Sequence, residues 1–160
     1  MTRDDFIRHV EGTQRTFRRF LCALCCGDSQ LADDIAQESL IKAYLSCEGF
    51  RDPDKFTSWI YRIGYNTFLN HRRTDRSTKG YEEAETISAP DKADSSFRYQ
   101  ELYSALDRLT PTERTSILLF YMEGYSVKEI AGIESVSQDA VKKHLSRGRM
   151  HLRDLLEKMN

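Results

Sequence analysis

"YSVKEIAGIESVSQDAVKKHLSRGRMHL", Tyr125 to Leu152, holds two short helical patterns joined by a tight connection. Ser126-Val127-Lys128-Glu129 reads as a capping box, in which the serine hydroxyl accepts from the glutamate amide and the glutamate side chain reaches back. Val127, Ile130 and Ala131 give the first pattern its apolar side, and Ala131 is small enough for another helix to cross close above it. Ser137 is placed to cap the second pattern. There Val141, Leu145, Gly148, Leu152 and Leu155 recur at helical spacing as one inward seam. Gln138, Asp139, Lys142, Lys143, Ser146, Arg149 and Met150 lie mostly away from that seam.

A short capped helix followed by one with a polar, basic exterior resembles a helix-turn-helix, whose second helix enters the DNA major groove by its N-terminal residues. Scaffolding domains also contain short antiparallel helices with basic exteriors, so the pattern leaves both readings open. Two residues depart from the usual turn. Ser135 stands where a left-handed glycine is common, and Glu134 stands where an apolar residue is common. Either Ser135 or its neighbour absorbs the strain, or the turn has another geometry.

Outward from this stretch, Thr110-Pro111-Thr112-Glu113 is a second capping box with proline in the first turn. It opens a helix with Ile117, Leu118, Phe120 and Tyr121 on its apolar side and Gly124 as a left-handed stop. Phe97, Leu102, Ala105, Leu106 and Leu109 predict one more helix before it. Between Thr74 and about Ser96 apolar periodicity gives way to Ser, Thr, Asp, Glu and Gly, the composition of a flexible linker.

Three helices are predicted before that linker. Phe6, Val10, Phe17, Phe20, Leu21 and Leu24 mark the first, stopped near Gly27. Asp28 or Ser29 caps the second, with Leu31, Ile35, Leu40, Ala43 and Tyr44 on its apolar side and Asp33, Asp34, Gln37, Glu38 and Lys42 mainly on its polar one. Asp52 and Pro53 start the third, which should run to about Arg73 and shows several patterned faces. Phe56, Ile60, Ile63 and Thr67 form a core stripe, with Trp59 beside it. Tyr61, Tyr65, Phe68 and Arg72 form another, and Arg62, Asn66, Asn70 and Arg73 a third. Rings beside guanidinium and amide groups stack bases and hold phosphates, but the same pattern also describes an extended core with a solvated basic face.

The chain is 160 residues long, 39% hydrophobic and 31% charged, which suits a globular protein of one or two small domains. Its net charge of -1 conceals segregation. From Trp59 to Gly80 five bases (Arg62, Arg72, Arg73, Arg76, Lys79) face one acid. From Tyr81 to Ser96 five acids face one base, and from Ser126 to Arg153 six bases face three acids. Two basic modules thus flank an acidic spacer, a distribution that fits contact with nucleic acid. No run approaches the roughly 18 apolar residues of a membrane helix. The start, MTRDDFIRHVEG, lacks the apolar region of a signal peptide, so a cytoplasmic protein is expected.

Cys22, Cys25 and Cys26 form a CxxCC, with Cys47 further on. A second metal-ligand pair is missing nearby, so zinc or redox chemistry stands against reduced cysteines acting as small hydrophobes. No phosphate-binding glycine loop or nucleophile context is present, so neither catalysis, a metal, a cofactor nor a small-molecule substrate is expected.

Taken together, the chain resembles the extracytoplasmic-function (ECF) group of bacterial sigma factors, which keep only the second and fourth conserved sigma regions. "ADDIAQESLIKAYLS" (Ala32 to Ser46), "FTSWIYRIGYNTFLNHRR" (Phe56 to Arg73) and "LDRLTPTERTSILLFYMEGYSVKEIA" with "AVKKHLSRGRMHLRDLL" carry the resemblance in the family's order. It implies an all-α fold of two small helical domains, region 2 over 1–75 and a four-helix, helix-turn-helix region 4 over 97–160, joined by a flexible acidic linker over 76–96. It implies a transcription initiation factor that binds RNA polymerase core, at the beta-prime clamp helices and the beta flap, and helps open promoter DNA. An anti-sigma partner is implied as well.

By residue, the resemblance implies polymerase binding by Asp33, Asp34, Gln37, Glu38 and Lys42. It implies minus-ten contacts by Trp59, Tyr61, Arg62, Tyr65, Asn66, Asn70, Arg72 and Arg73, with Trp59 also suited to the core. Minus-thirty-five contacts fall to Ser137, Gln138, Asp139, Lys142, Lys143, Arg147 and Arg149. Ala140 and His144 replace the family's common Thr and Arg, with His144 expected at the surface, and Gly148 replaces a common Ala with loss of helix stability at an exposed site. The alternative function is a stand-alone helix-turn-helix regulator with an N-terminal sensor or interaction domain; a helical adaptor without DNA affinity is a third.

Overall fold

The computed structural model describes residues 1–78 and 97–159. All regular structure among the described residues is helical. The helices are α1 (Arg3–Leu24), α2 (Ser29–Ser46), α3 (Phe56–Thr78), α4 (Phe97–Arg108), α5 (Pro111–Ile117), α6 (Val127–Glu134) and α7 (Gln138–Met159). Two short 3₁₀ turns, Cys47–Gly49 and Pro53–Lys55, lie between α2 and α3, and α5 continues as a π-helical turn over Leu118–Met122.

The local signals act where the sequence puts them. The Asp28 side chain accepts from the Leu31 amide to cap α2, and Asp52 accepts from Asp54 ahead of Pro53. Both capping boxes close, Thr110 with Glu113 and Ser126 with Glu129. Ser137 accepts from the Ala140 amide at 3.1 Å. Gly124 takes the left-handed stop, and the end of α1 takes two such steps, at Cys26 and Gly27. Helix α3 runs past Arg73 to Thr78, so residues 76–78 of the expected linker are helical; the remainder, 79–96, lies outside the described residues.

α1, α2 and α3 pack on one another, as α5, α6 and α7 do. In the first group Phe17 and Phe20 close on the Tyr61 ring, with centroids 5.5 and 4.9 Å away. Burying each such ring contributes about 1.5–3 kcal/mol. Gly64 permits the approach, because a β-carbon there would sit 2.6 Å from Phe17 Cε1. At the other end Phe6, Phe50, Phe56 and Trp59 form a ring cluster in which Trp59 stacks on Phe50 at 4.3 Å.

The two groups also pack against each other, chiefly α3 against α6. Tyr61, Tyr65 and Phe68 are buried, the first two at 0% and 3% exposure. The stripe that was open to either reading is therefore core in this structure, and Tyr61 and Tyr65 present no face to a base.

Gly148 corrects another expectation. It is buried rather than exposed, and a β-carbon there would lie 2.9 Å from Ile117 Cγ1, so α7 crosses α5 at a distance only glycine allows.

Candidate nucleic-acid interface

The turn between α6 and α7 keeps the usual helix-turn-helix shape. Ser135 sits in the left-handed region at φ 59°, ψ 46°, so serine itself absorbs a strain of roughly 1–2 kcal/mol. Glu134, in the customary apolar position, is buried and accepts a 2.6 Å hydrogen bond from Ser116 Oγ. Burial raises the Glu134 carboxyl to about 7, against the opposing effect of that bond. His144 Nδ1 faces Glu134 Oε1 at 3.5 Å, and neither atom has a hydrogen-bond partner among the described residues. His144 thus points inward rather than standing at the surface, and burial lowers its pKa.

This packing turns the basic side of α7 outward. Ser137, Gln138, Asp139, Lys142, Lys143 and Arg147 are exposed around its N-terminal half. Arg149 is exposed too, but its Nη1 donates to the Tyr121 hydroxyl at 3.3 Å. On α3, Arg62, Asn66, Asn70 and Arg73 share one exposed stripe, while Trp59 is half-buried and Arg72 lies 5.9 Å from the Phe68 ring centre. The third α3 face is therefore open to solvent along its length, whereas Tyr61 and Tyr65 of the second are not.

On α2, Asp33, Asp34, Gln37 and Lys42 are exposed and Glu38 is half-buried. Glu38 pairs with His71 Nε2 at 2.9 Å and Lys42 Nζ at 3.0 Å; those hydrogen bonds, His71's first, hold its carboxyl below the ordinary glutamate value. Arg18 reaches Asp33 at 3.4 Å.

The family model for sigma-70 region 2 matches residues 9–78, and that for sigma-70 region 4 matches 99–152. Over 151 residues the chain is 30% identical to the ECF RNA polymerase sigma factor SigW of Bacillus subtilis, covering 85% of this chain and 81% of that one. The chain belongs to the sigma-70 family, in its ECF group. It is a transcription initiation factor that binds RNA polymerase and directs it to promoters. Similarity to the ECF sigma factor SigE of Mycolicibacterium smegmatis is 29% over 163 residues, 97% of this chain but 62% of that relative. In fold the chain matches the sigma factor RpoE of Bartonella quintana, solved in complex with the anti-sigma factor NepR, at a TM-score of 0.83 and 24% identity over 96% of this chain and 97% of that one.

In this sigma factor the structure adds residues that sequence reasoning missed. Ile41 and Leu45 are 60% and 70% exposed beside Asp34, Gln37 and Glu38, giving the α2 face an apolar component. Read as helix spacing alone, the sequence left them unassigned. A groove of about 990 Å³ opens between α4, the π-helical turn and the second half of α7, lined by Leu102, Leu106, Leu118, Tyr121, Met122, Met150 and Leu156, with Arg149, Arg153 and Glu157 at its polar positions. Tyr121, which the sequence pattern placed on the apolar side of its helix, is instead 58% exposed at this groove, and Met150, which the pattern left unassigned, is exposed there too.

Cys25 and Cys47 are buried, Cys22 and Cys26 half-buried, and all four are free. Burial pushes the Cys22 and Cys25 thiols up, and Cys26 up to about 11, which keeps them protonated and poor nucleophiles. Among the described residues no three His, Cys, Asp or Glu side chains are gathered to hold a metal. No described helix is long and apolar enough to cross a membrane.

Proposed function

We propose that three exposed faces divide the work of this sigma factor. The α2 face of Asp33, Asp34, Gln37, Glu38 and Lys42, extended by Ile41 and Leu45, grips the beta-prime clamp helices. Charged groups there give register and on-rate, and the two apolar side chains supply burial. The Arg62, Asn66, Asn70 and Arg73 stripe of α3 meets minus-ten DNA. The N-terminal half of α7 enters the major groove of the minus-thirty-five element, with Gln138 and Asp139 toward base edges and Lys142, Lys143 and Arg147 toward bases or phosphates.

The single observation that carries this reading is the placement of the α3 and α7 stripes. Each is exposed and rich in Arg, Lys, Asn or Gln while the opposite side of its helix is core. The groove beside α7 takes an apolar helix with acidic flanks, and the beta flap is the polymerase element assigned to it. Its two rim arginines supply the charge complement. An anti-sigma factor competes for these surfaces. The chain contributes binding rather than catalysis, and it works in the cytoplasm with the polymerase.

Size-exclusion co-elution with bacterial RNA polymerase core tests the assignment of α2. The wild-type chain should co-elute, and a folded Asp33→Arg/Asp34→Arg/Glu38→Arg variant should not. Undiminished co-elution of the variant would remove α2 from the interface.

A further inference from the structure

Two departures from the usual pattern meet inside the helix-turn-helix. Glu134 ends α6 where an apolar residue is common, and His144 stands on α7 where Arg is common. Their Oε1 and Nδ1 atoms face each other at 3.5 Å, with the Glu134 side chain 0% exposed and the His144 side chain 19%. The other carboxyl oxygen, Oε2, accepts from Ser116 Oγ of α5 at 2.6 Å. Neither Oε1 nor Nδ1 has a hydrogen-bond partner among the described residues, so a hydrogen on either one would serve both. One carboxyl thus touches a side chain of α5 and faces one of α7.

The element it positions is the one that carries the basic stripe. His144 follows Lys142 and Lys143 directly and precedes Arg147 by three residues, so its ring is the inward anchor of that stretch. Burial favours the uncharged form of both the carboxyl and the imidazole. The charged and titratable groups set around the pair are Glu113 of α5, Arg147 and Lys143 of α7, and Tyr65 of α3. While carboxyl and imidazole together carry no net charge, the pocket holds no unpaired ion. Loss of one proton leaves a net negative charge buried directly behind Lys143 and Arg147, which is costly there and opposes the cations that face outward.

We propose that Ser116, Glu134 and His144 form a proton-bearing clamp that positions α7, so that affinity for the minus-thirty-five element falls when the clamp loses its proton. This rests on the reading of α7 given above. The sign follows from linkage. DNA phosphates beside α7 disfavour a further negative charge, so the DNA-bound clamp keeps its proton to a higher pH than the free one, and binding weakens as pH rises through the transition.

Fluorescence anisotropy of the holoenzyme on a promoter duplex, recovered from genomic DNA by its chain-dependent start site, tests the clamp over pH 6 to 8. Wild-type affinity should fall about threefold or more, the effect of half a pKa unit between free and bound clamp. Glu134→Gln has the same shape, accepts from Ser116 and donates to His144, but holds no titratable proton. With unchanged helical circular dichroism, it should keep its pH 6 affinity across the range. Ser116→Ala removes the bond that opposes burial at Glu134, so its midpoint should move to higher pH. His151, 3.2 Å from Glu113 Oε1, is intact in all three chains, so any pH dependence it supplies is common to them. A flat wild-type profile, a Glu134→Gln profile parallel to wild type, or an unmoved Ser116→Ala midpoint would overturn the clamp. Promoter binding that ignores Lys142→Ala/Lys143→Ala would instead overturn the reading of α7, and the clamp's role with it.

Discussion

Ser116 Oγ donates to Glu134 Oε2 at 2.6 Å inside the helix-turn-helix, where both residues are buried. Folding raises the Glu134 carboxyl from 4.5 to about 7, so the folded chain holds a proton there that the unfolded chain gives up. The sign follows: its contribution is fully present below pH 4.5 and is lost as pH rises through about 7. The full span is on the order of 3 kcal/mol. Glu134→Gln keeps an acceptor for Ser116 but cannot ionise. Denaturant unfolding at pH 5 and pH 8 should find the variant close to wild type at the lower pH and more stable at the higher one. Parallel curves at both pH values would show that Glu134 does not titrate in this range.

Two buried glycines should reject a methyl group. Gly64→Ala drives a β-carbon into the Phe17 ring and Gly148→Ala drives one into Ile117, at 2.6 and 2.9 Å. Each should lower stability by about 1–3 kcal/mol. Gly132→Ala, in α6 with nothing within 4 Å of its β-carbon, should instead raise it by about 0.5–1 kcal/mol. Thermal unfolding of the three variants checks the set, and the opposite signs separate packing from helix propensity.

Ile41 and Leu45 should matter for assembly and not for folding. Both are exposed, so Ile41→Asp and Leu45→Asp should leave the melting temperature within a degree or two, about what a change of up to 0.5 kcal/mol produces. Either should weaken core binding at least tenfold if the side chain is an anchor of the interface. Titration against labelled core reads both expectations together.

The two kinds of α7 contact should separate by salt. Lys142→Ala and Lys143→Ala should weaken promoter binding by the holoenzyme similarly on all sequences. Each lost phosphate contact should reduce the slope of log K against log salt by about 0.9. Gln138→Ala should leave the slope unchanged and relax preference at one base pair by about 1–3 kcal/mol. Fluorescence anisotropy over a salt series distinguishes the two.

The features legible in the sequence were those whose cause is local. Both capping boxes, the Asp28 and Asp52 caps and the Gly124 stop are set by residues within a turn of one another, and each formed. The exposed stripes of α3 and α7 were legible for a similar reason, as the complement of an apolar seam. What escaped is tertiary. Tyr61 and Tyr65 carry the same helical spacing whether a base or protein covers them, so only the tertiary packing, with Phe17 and Phe20 on Tyr61, shows them buried. Arg114 is buried with its guanidinium donating to Leu106 O and Leu24 O, and it left no trace because its acceptors are backbone carbonyls, which no side-chain pattern records. Gly148 was placed on the seam, yet its necessity depends on how closely Ile117 approaches.

The central claim is that this chain programs RNA polymerase to start at particular promoters. Transcription of total genomic DNA from the encoding organism by purified core, with and without the chain, tests it most directly when the 5′ ends of the products are mapped. The account predicts chain-dependent start sites that share one pair of upstream elements, lost with an Arg62→Ala/Lys142→Ala variant. Start sites that are unchanged by adding a folded, core-bound chain would contradict it.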